Sequence, residues 1–128
     1  MFSGEDIVEF RYSSGNCFSG YEIIEIKSTD YNVIARYIPS IREKNNGAAE
    51  NKCVLLVKDW NDYIRSICKI ADKWEPGYVN NKILDGFQWS MSYLRKNGDK
   101  KDYHGSNAFP DNWPKFEKII NKIKEQIR

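Results

Sequence analysis

The chain has 128 residues, 41% of them hydrophobic and 30% charged, with a formal net charge of +2. That length and composition suit one domain with its own core and exclude a disordered or low-complexity chain. The charge is too small for the basic footprint of a dedicated nucleic-acid binder, although residues 1–64 stand at −3 and residues 65–128 at +5.

In chain order, residues 6–38 predict a three-stranded meander. Val8, Phe10 and Tyr12 alternate with Glu9 and Arg11, S-S-G-N supplies a turn, and a second apolar run occupies Tyr21 to Ile26. In that run Tyr21 and Ile23 have one parity and Ile24 and Ile26 the other. This predicts a bulge near Ile23 or Ile24, or a strand buried on both faces. Thr29-Asp30 turns the chain into Val33 to Ile38, and Pro39 ends the strand. Residues 39–52, P-S-I-R-E-K-N-N-G-A-A-E-N-K, read as a flexible loop.

Cys53 to Val57 is a continuous apolar run, compatible with a short strand or with the start of a longer helix from about Glu50. We read it as a strand, because Asp59 suits the N-cap of a helix that buries Trp60, Tyr63, Ile64, Ile67, Cys68, Ala71 and Trp74. Glu75-Pro76-Gly77 stops that helix, and Tyr78 to Leu84 connects it to a hairpin.

From Asp85 onward the pattern sharpens. Phe87, Trp89, Met91 and Tyr93 alternate with Gln88, Ser90 and Ser92, one large apolar face of a strand. Asn97-Gly98 marks a tight reversal. A two-residue loop puts Tyr103 opposite Ser92; a three-residue loop from Lys96 to Gly98 puts it opposite Met91, with Gly105 opposite Trp89. The second keeps the aromatics on one face and gives the Trp89 indole a neighbour without a side chain. After the loop G-S-N-A-F-P, a helix is predicted with Asn112 as N-cap. It carries Trp113, Phe116, Ile119, Ile120, Ile123 and Ile127 on one stripe, opposite Lys115, Lys118, Lys122, Lys124 and Glu125.

Asp85-Gly86-x-x-Trp89, the hairpin, Gly105-Ser106-Asn107-x-Phe109-Pro110 and the aromatic-led helix at Trp113 resemble the C-terminal part of small, largely uncharacterised bacterial α+β proteins. Some of those proteins resemble the immunity partners of toxins. The resemblance covers the last third of the chain, with Trp74 and Tyr78 as outlying members. It implies a structural role for Asp85, Gly86, Trp89, Gly105, Asn107, Pro110 and Trp113, and names no reaction.

Chemical constellations are few. His104, the single histidine, lies beside Asp102, Ser106 and Asn107 without the strained turn that activates a serine nucleophile, and on the polar side of its strand. Asp85-Gly86 reads as turn chemistry. Arg95, Lys96, Lys100 and Lys101 flank the hairpin tip near Trp89, Tyr93 and Tyr103, a mixture used by single-stranded nucleic-acid binders. Here the aromatics have the parity of the core. Cys17, Cys53 and Cys68 lack metal-site spacing and read as free, mostly buried thiols. No phosphate loop, dinucleotide fingerprint or calcium loop occurs, so no cofactor is expected. M-F-S-G-E-D is unlike a signal peptide and no run approaches the ~20 apolar residues of a membrane span. The expectation is a cytoplasmic protein without a membrane partner.

Together these readings predict an α+β domain, an antiparallel sheet built from an N-terminal meander and a C-terminal hairpin with two helices packed on one face. The expected function is protein binding of an immunity-like kind, masking a toxin or other partner. A single-stranded nucleic-acid module is the first alternative and an enzyme with an unrecognised site the second. The acidic character of the first half nominates Glu22, Glu25 and Asp30 as an outward-facing partner edge.

Overall fold

The computed structural model describes residues 6–80 and 86–127. In chain order these form β1 (Ile7–Asn16), β2 (Gly20–Ser28), β3 (Val33–Ile38), α1 (Ile41–Asn45), β4 (Asn51–Leu55), α2 (Val57–Ala71), β5 (Gly77–Val79), β6 (Gln88–Arg95), β7 (Lys100–Ser106) and α3 (Trp113–Ile127). The fold is α+β. Its seven-stranded open sheet runs β4-β3-β2-β1-β6-β7-β5 and is antiparallel except at β5, which pairs parallel to β7.

Alternation along the strands sorts side chains onto two faces. Phe10, Tyr12, Ile24, Ile26, Val33, Ala35, Tyr37, Leu55, Trp89, Met91, Tyr93 and Tyr103 are buried on one of them, in a single cluster with the apolar stripes of α2 and α3. Trp60 of α2 meets Phe10 edge-on at 5.9 Å, and Phe116 of α3 meets Tyr12 at 5.4 Å. An aromatic group fills one end of this core. Trp74 packs on Phe116, Tyr103, Trp89 and Trp113 at 5.2, 5.5, 5.6 and 6.0 Å between ring centroids. Each tryptophan removes about 150–250 Å² from water, worth about 4–6 kcal/mol at 25 cal/mol per Å².

The β6–β7 register pairs Met91 with Tyr103 and Trp89 with Gly105, as the three-residue loop predicts. Gly98 sits at φ 96°, its N–H donates to Arg95 O at 2.9 Å, and Arg95 N–H donates to Asp99 O at 2.7 Å. The left-handed glycine is what lets three residues close this turn.

Other expectations are corrected. β2 carries no bulge: its registers with β1 and β3 run unbroken, so Ile24 and Ile26 enter the core and Tyr21 and Ile23 lie on the other face. The irregularity falls instead between Ile7 and Glu9 of β1. It changes the parity there, so Ile7 is buried beside Phe10 while Val8 is only half-buried. The stretch 39–52 is not all loop. Pro39 and Ser40 are buried, Ser40 Oγ caps α1 by accepting from Glu43 N–H at 3.3 Å, and β4 begins at Asn51.

Cys53 lies in a strand, but α2 starts at Val57 behind an N-cap, Leu56, that makes no side-chain cap; Asp59 sits in the first turn instead. The helix ends at Ala71, before Glu75-Pro76-Gly77, because Trp74 leaves the helical path to reach the aromatic group. Tyr78 lies in β5 rather than in a plain connection. Phe87 precedes β6 and is 36% exposed against Phe109, at 5.6 Å, rather than in the core.

Candidate functional site

The face of the sheet opposite the helices is a solvent-facing surface of paired rows. One row crosses six strands: Asp102, Ser92, Arg11, Glu25, Arg36 and Lys52 stand side by side. The next holds Lys100, Leu94, Glu9, Lys27, Ile34 and Val54. Glu25 bridges Arg11 at 3.8 Å and Arg36 at 3.6 Å, and Arg36 also binds Glu50. That last contact holds the Glu50 carboxyl below its usual range and raises the Arg36 guanidinium. Ser13 and Ser90 hydroxyls share a hydrogen bond of 2.7 Å in the row beyond.

Two shallow concavities open on this face. One of about 300 Å³ is lined by Glu9, Arg11, Glu25, Lys27, Ser92 and Lys100 among others, and one of about 270 Å³ by Glu25, Lys27, Thr29, Ile34, Arg36 and Lys52. Cations and carboxylates interleave in the first, whereas among the described residues Glu25 is the one carboxylate beside the cations of the second.

The nominated acidic edge does not form one surface. Glu25 is on the open face and Asp30 is exposed in the β2–β3 turn, whereas Glu22 shares the parity of Ile24 and Ile26 and so belongs to the helix-covered side. There it pairs with Lys124 of α3 and accepts from Tyr37 Oη at 3.0 Å and Ser14 Oγ at 3.3 Å. Lys124, expected on the outer side of α3, is turned inward by the same pair. The unbroken register of β2 is the physical reason, since without a bulge the parity of Ile24 decides that of Glu22.

Most of the motif residues are brought together, as packing. Gly105 lies under the Trp89 indole, where a Cβ would stand 2.0 Å from Nε1, and that nitrogen donates to Ala108 O at 3.0 Å. A Cβ on Gly86 would meet Asn107 Oδ1 at 1.2 Å. Asn107 adopts φ 56°, a left-handed conformation that asparagine tolerates better than most residues, and its N–H donates to Phe87 O at 2.8 Å. Pro110 and Trp113 are buried beside them. Asp85 lies outside the described residues. Asn112 is not spent on capping: its Oδ1 accepts from Trp74 Nε1 at 2.7 Å and its Nδ2 donates to Ile70 O at 2.9 Å, tying the end of α2 to the start of α3.

His104 is exposed on the open face, paired with Ser90 and lying against Gly77 of β5. Trp89, Tyr93 and Tyr103 are 3%, 5% and 8% exposed, so the hairpin's aromatics serve the core and offer no face to a base, while Lys96, Lys100 and Lys101 remain exposed near the tip. Burial pushes the Cys68 thiol up to about 12 and raises the Tyr93 and Tyr103 hydroxyls in the same cluster. Cys53 is partly buried, but Cys17 is exposed, a departure from the expected buried thiols. Among the described residues no group of histidine, cysteine and carboxylate side chains could hold a metal, and no helix is long and apolar enough to cross a membrane.

The Arg11–Glu25–Arg36 ladder was missed by sequence reasoning, although its signal was present: both arginines alternate with core residues of β1 and β3. What the strands alone do not reveal is that α2 and α3 both pack on the other side. Comparison of the sequence with protein-family models and with curated proteins gives no match, so the likeness carried by residues 85–113 rests on those residues alone.

Proposed function

We propose that this chain is a small protein-binding domain that masks a protein partner in the manner of an immunity protein, with the open face of the sheet as its docking surface. The observation that carries this reading is the row Arg11–Glu25–Arg36 with its flanking concavities, held on a sheet whose other face is packed against the helices. Alternating charges on a fixed lattice suit a partner surface of matching pattern, which gains orientation and association rate from them. A polyanion fits poorly, because Glu9, Glu25 and Asp102 interrupt the cations and would repel phosphates. The nucleic-acid alternative also lacks a stacking platform in the hairpin.

A photocrosslinking residue at Lys27, on the open face, tests this against one at Lys122 on α3. The expected result is a discrete protein adduct from position 27 in native cells, and relief of growth arrest when that protein is co-expressed with this chain. Arg11→Glu with Arg36→Glu should abolish both while leaving the thermal midpoint within about 2–4 °C, since exposed ion pairs contribute little to folding. A nuclease-sensitive adduct, or protection that survives the double reversal, rejects the reading.

A further inference from the structure

The helical layer carries a second surface. Between α2 and α3 runs an open groove of about 470 Å³, floored by Ile70 and Ile119 and walled by Lys69 from one helix and Lys115 and Lys118 from the other. Among the described residues no carboxylate lines it. The groove is tied at one end by Asn112 to Ile70 O at 2.9 Å, and farther along the helices by Gln126 Nε2 to Tyr63 Oη at 2.6 Å. Its walls are therefore held in place.

None of the three lysines forms an ion pair with a described residue. Three uncompensated cations around a half-buried apolar floor call for a ligand that brings both apolar groups and carboxylates. The lining runs from Ser66 to Ile70 on α2 and from Asn112 to Ile119 on α3, so the groove offers about 10 Å, the length of two helical turns. No described aromatic side chain lines it, so a nucleobase finds nothing to stack on.

We propose that the α2–α3 groove docks an acidic amphipathic helical segment of a protein, its apolar stripe on Ile70 and Ile119 and its carboxylates on Lys69, Lys115 and Lys118. This site is separate from the sheet face and stands or falls independently of it.

The test is fluorescence anisotropy with a labelled peptide of about 16 residues, leucine at i, i+3, i+4 and i+7 and glutamate at most other positions. Saturable binding that weakens with added salt is expected. Lys115→Glu with Lys118→Glu should raise Kd about tenfold or more, and Lys69→Ser with Lys118→Ser, a milder pair that guards against misfolding, should raise it about threefold to tenfold. Arg36→Glu, which disables the sheet face, should leave peptide binding intact, so the two sites are read separately. Equal binding by the lysine-reversed variants, or tighter binding of an oligothymidine than of the peptide, overturns the proposal. So does equal affinity for a peptide in which lysine replaces glutamate.

Discussion

Glu22 of β2 and Lys124 of α3 are 102 residues apart in the chain and form an ion pair on the helix-covered side of the sheet, with both side chains less than a quarter exposed. Tyr37 and Ser14 hydroxyls supply further hydrogen bonds to the carboxylate. A charge used in this way contributes to the fold. Glu22→Lys should lower stability by about 2–3 kcal/mol, because it sets two ammonium groups against each other where solvent screens them only in part. Lys124→Met alone should cost less. A denaturant series in which Glu22→Lys shifts the midpoint no more than Glu25→Lys contradicts this assignment.

Trp74 and Trp89 anchor the aromatic end of the core, and each spends its indole N–H on a specific acceptor, Asn112 and Ala108 respectively. Replacing Trp89 or Trp113 by alanine should cost about 3–5 kcal/mol through lost burial and the cavity left behind. Asn112→Ala should cost about 1–3 kcal/mol, since it strands the Trp74 donor in a place water reaches poorly. Urea unfolding followed by tryptophan fluorescence reads all three, and a loss below about 1 kcal/mol at Trp89 would place its ring outside the core.

Gly86 and Asn107 test the C-terminal loop. Gly86→Ala drives a methyl into the Asn107 carboxamide and should destabilise by about 1–3 kcal/mol. Asn107→Gly frees that space and also suits φ 56°, so the double variant should recover most of the loss. Simple additivity of the two substitutions would show that the clash is not what Gly86 avoids.

Alkaline pH probes the buried hydroxyls and thiol. Burial raises Tyr12 from 10.0 to about 12 and Cys68 from 9.0 to about 12. The unfolded chain therefore releases these protons first as pH rises, and ∂ΔG/∂pH is negative in that window. Stability should be flat through neutrality, begin to fall above about pH 9, and go on falling to about pH 12. Cys68→Ala should remove the early part of the slope and Tyr12→Phe the later part. Urea midpoints between about pH 8 and 11 that show no such decline would mean these groups are solvated.

Much of this fold was legible where one local pattern carried the information. The parity of Trp89, Met91 and Tyr93, with Asn97-Gly98 after them, was sufficient for the register of β6 on β7, because a one-residue slip would have turned every aromatic out of the core. The stripe from Trp113 to Ile127 likewise specified a helix and its buried side, with Ile119 only half-covered. The candidate site was less legible. Whether a carboxylate on β2 serves a partner or the core depends on which face the helices cover, and that is settled by contacts between residues a hundred positions apart.

The amino-acid sequence by itself determined the elements whose apolar period is long and unbroken, since each local choice there agrees with burial. Tertiary structure alone decided the rest: Glu22 faces inward, Trp74 leaves α2 to join the aromatic group, Tyr78 enters a parallel edge strand, and Asn112 ties two helices instead of capping one. In each case the deciding partner is distant in the chain. A short or polar segment has too little burial of its own to choose a conformation, so it takes the one that satisfies a hydrogen bond or fills a gap in the assembled core.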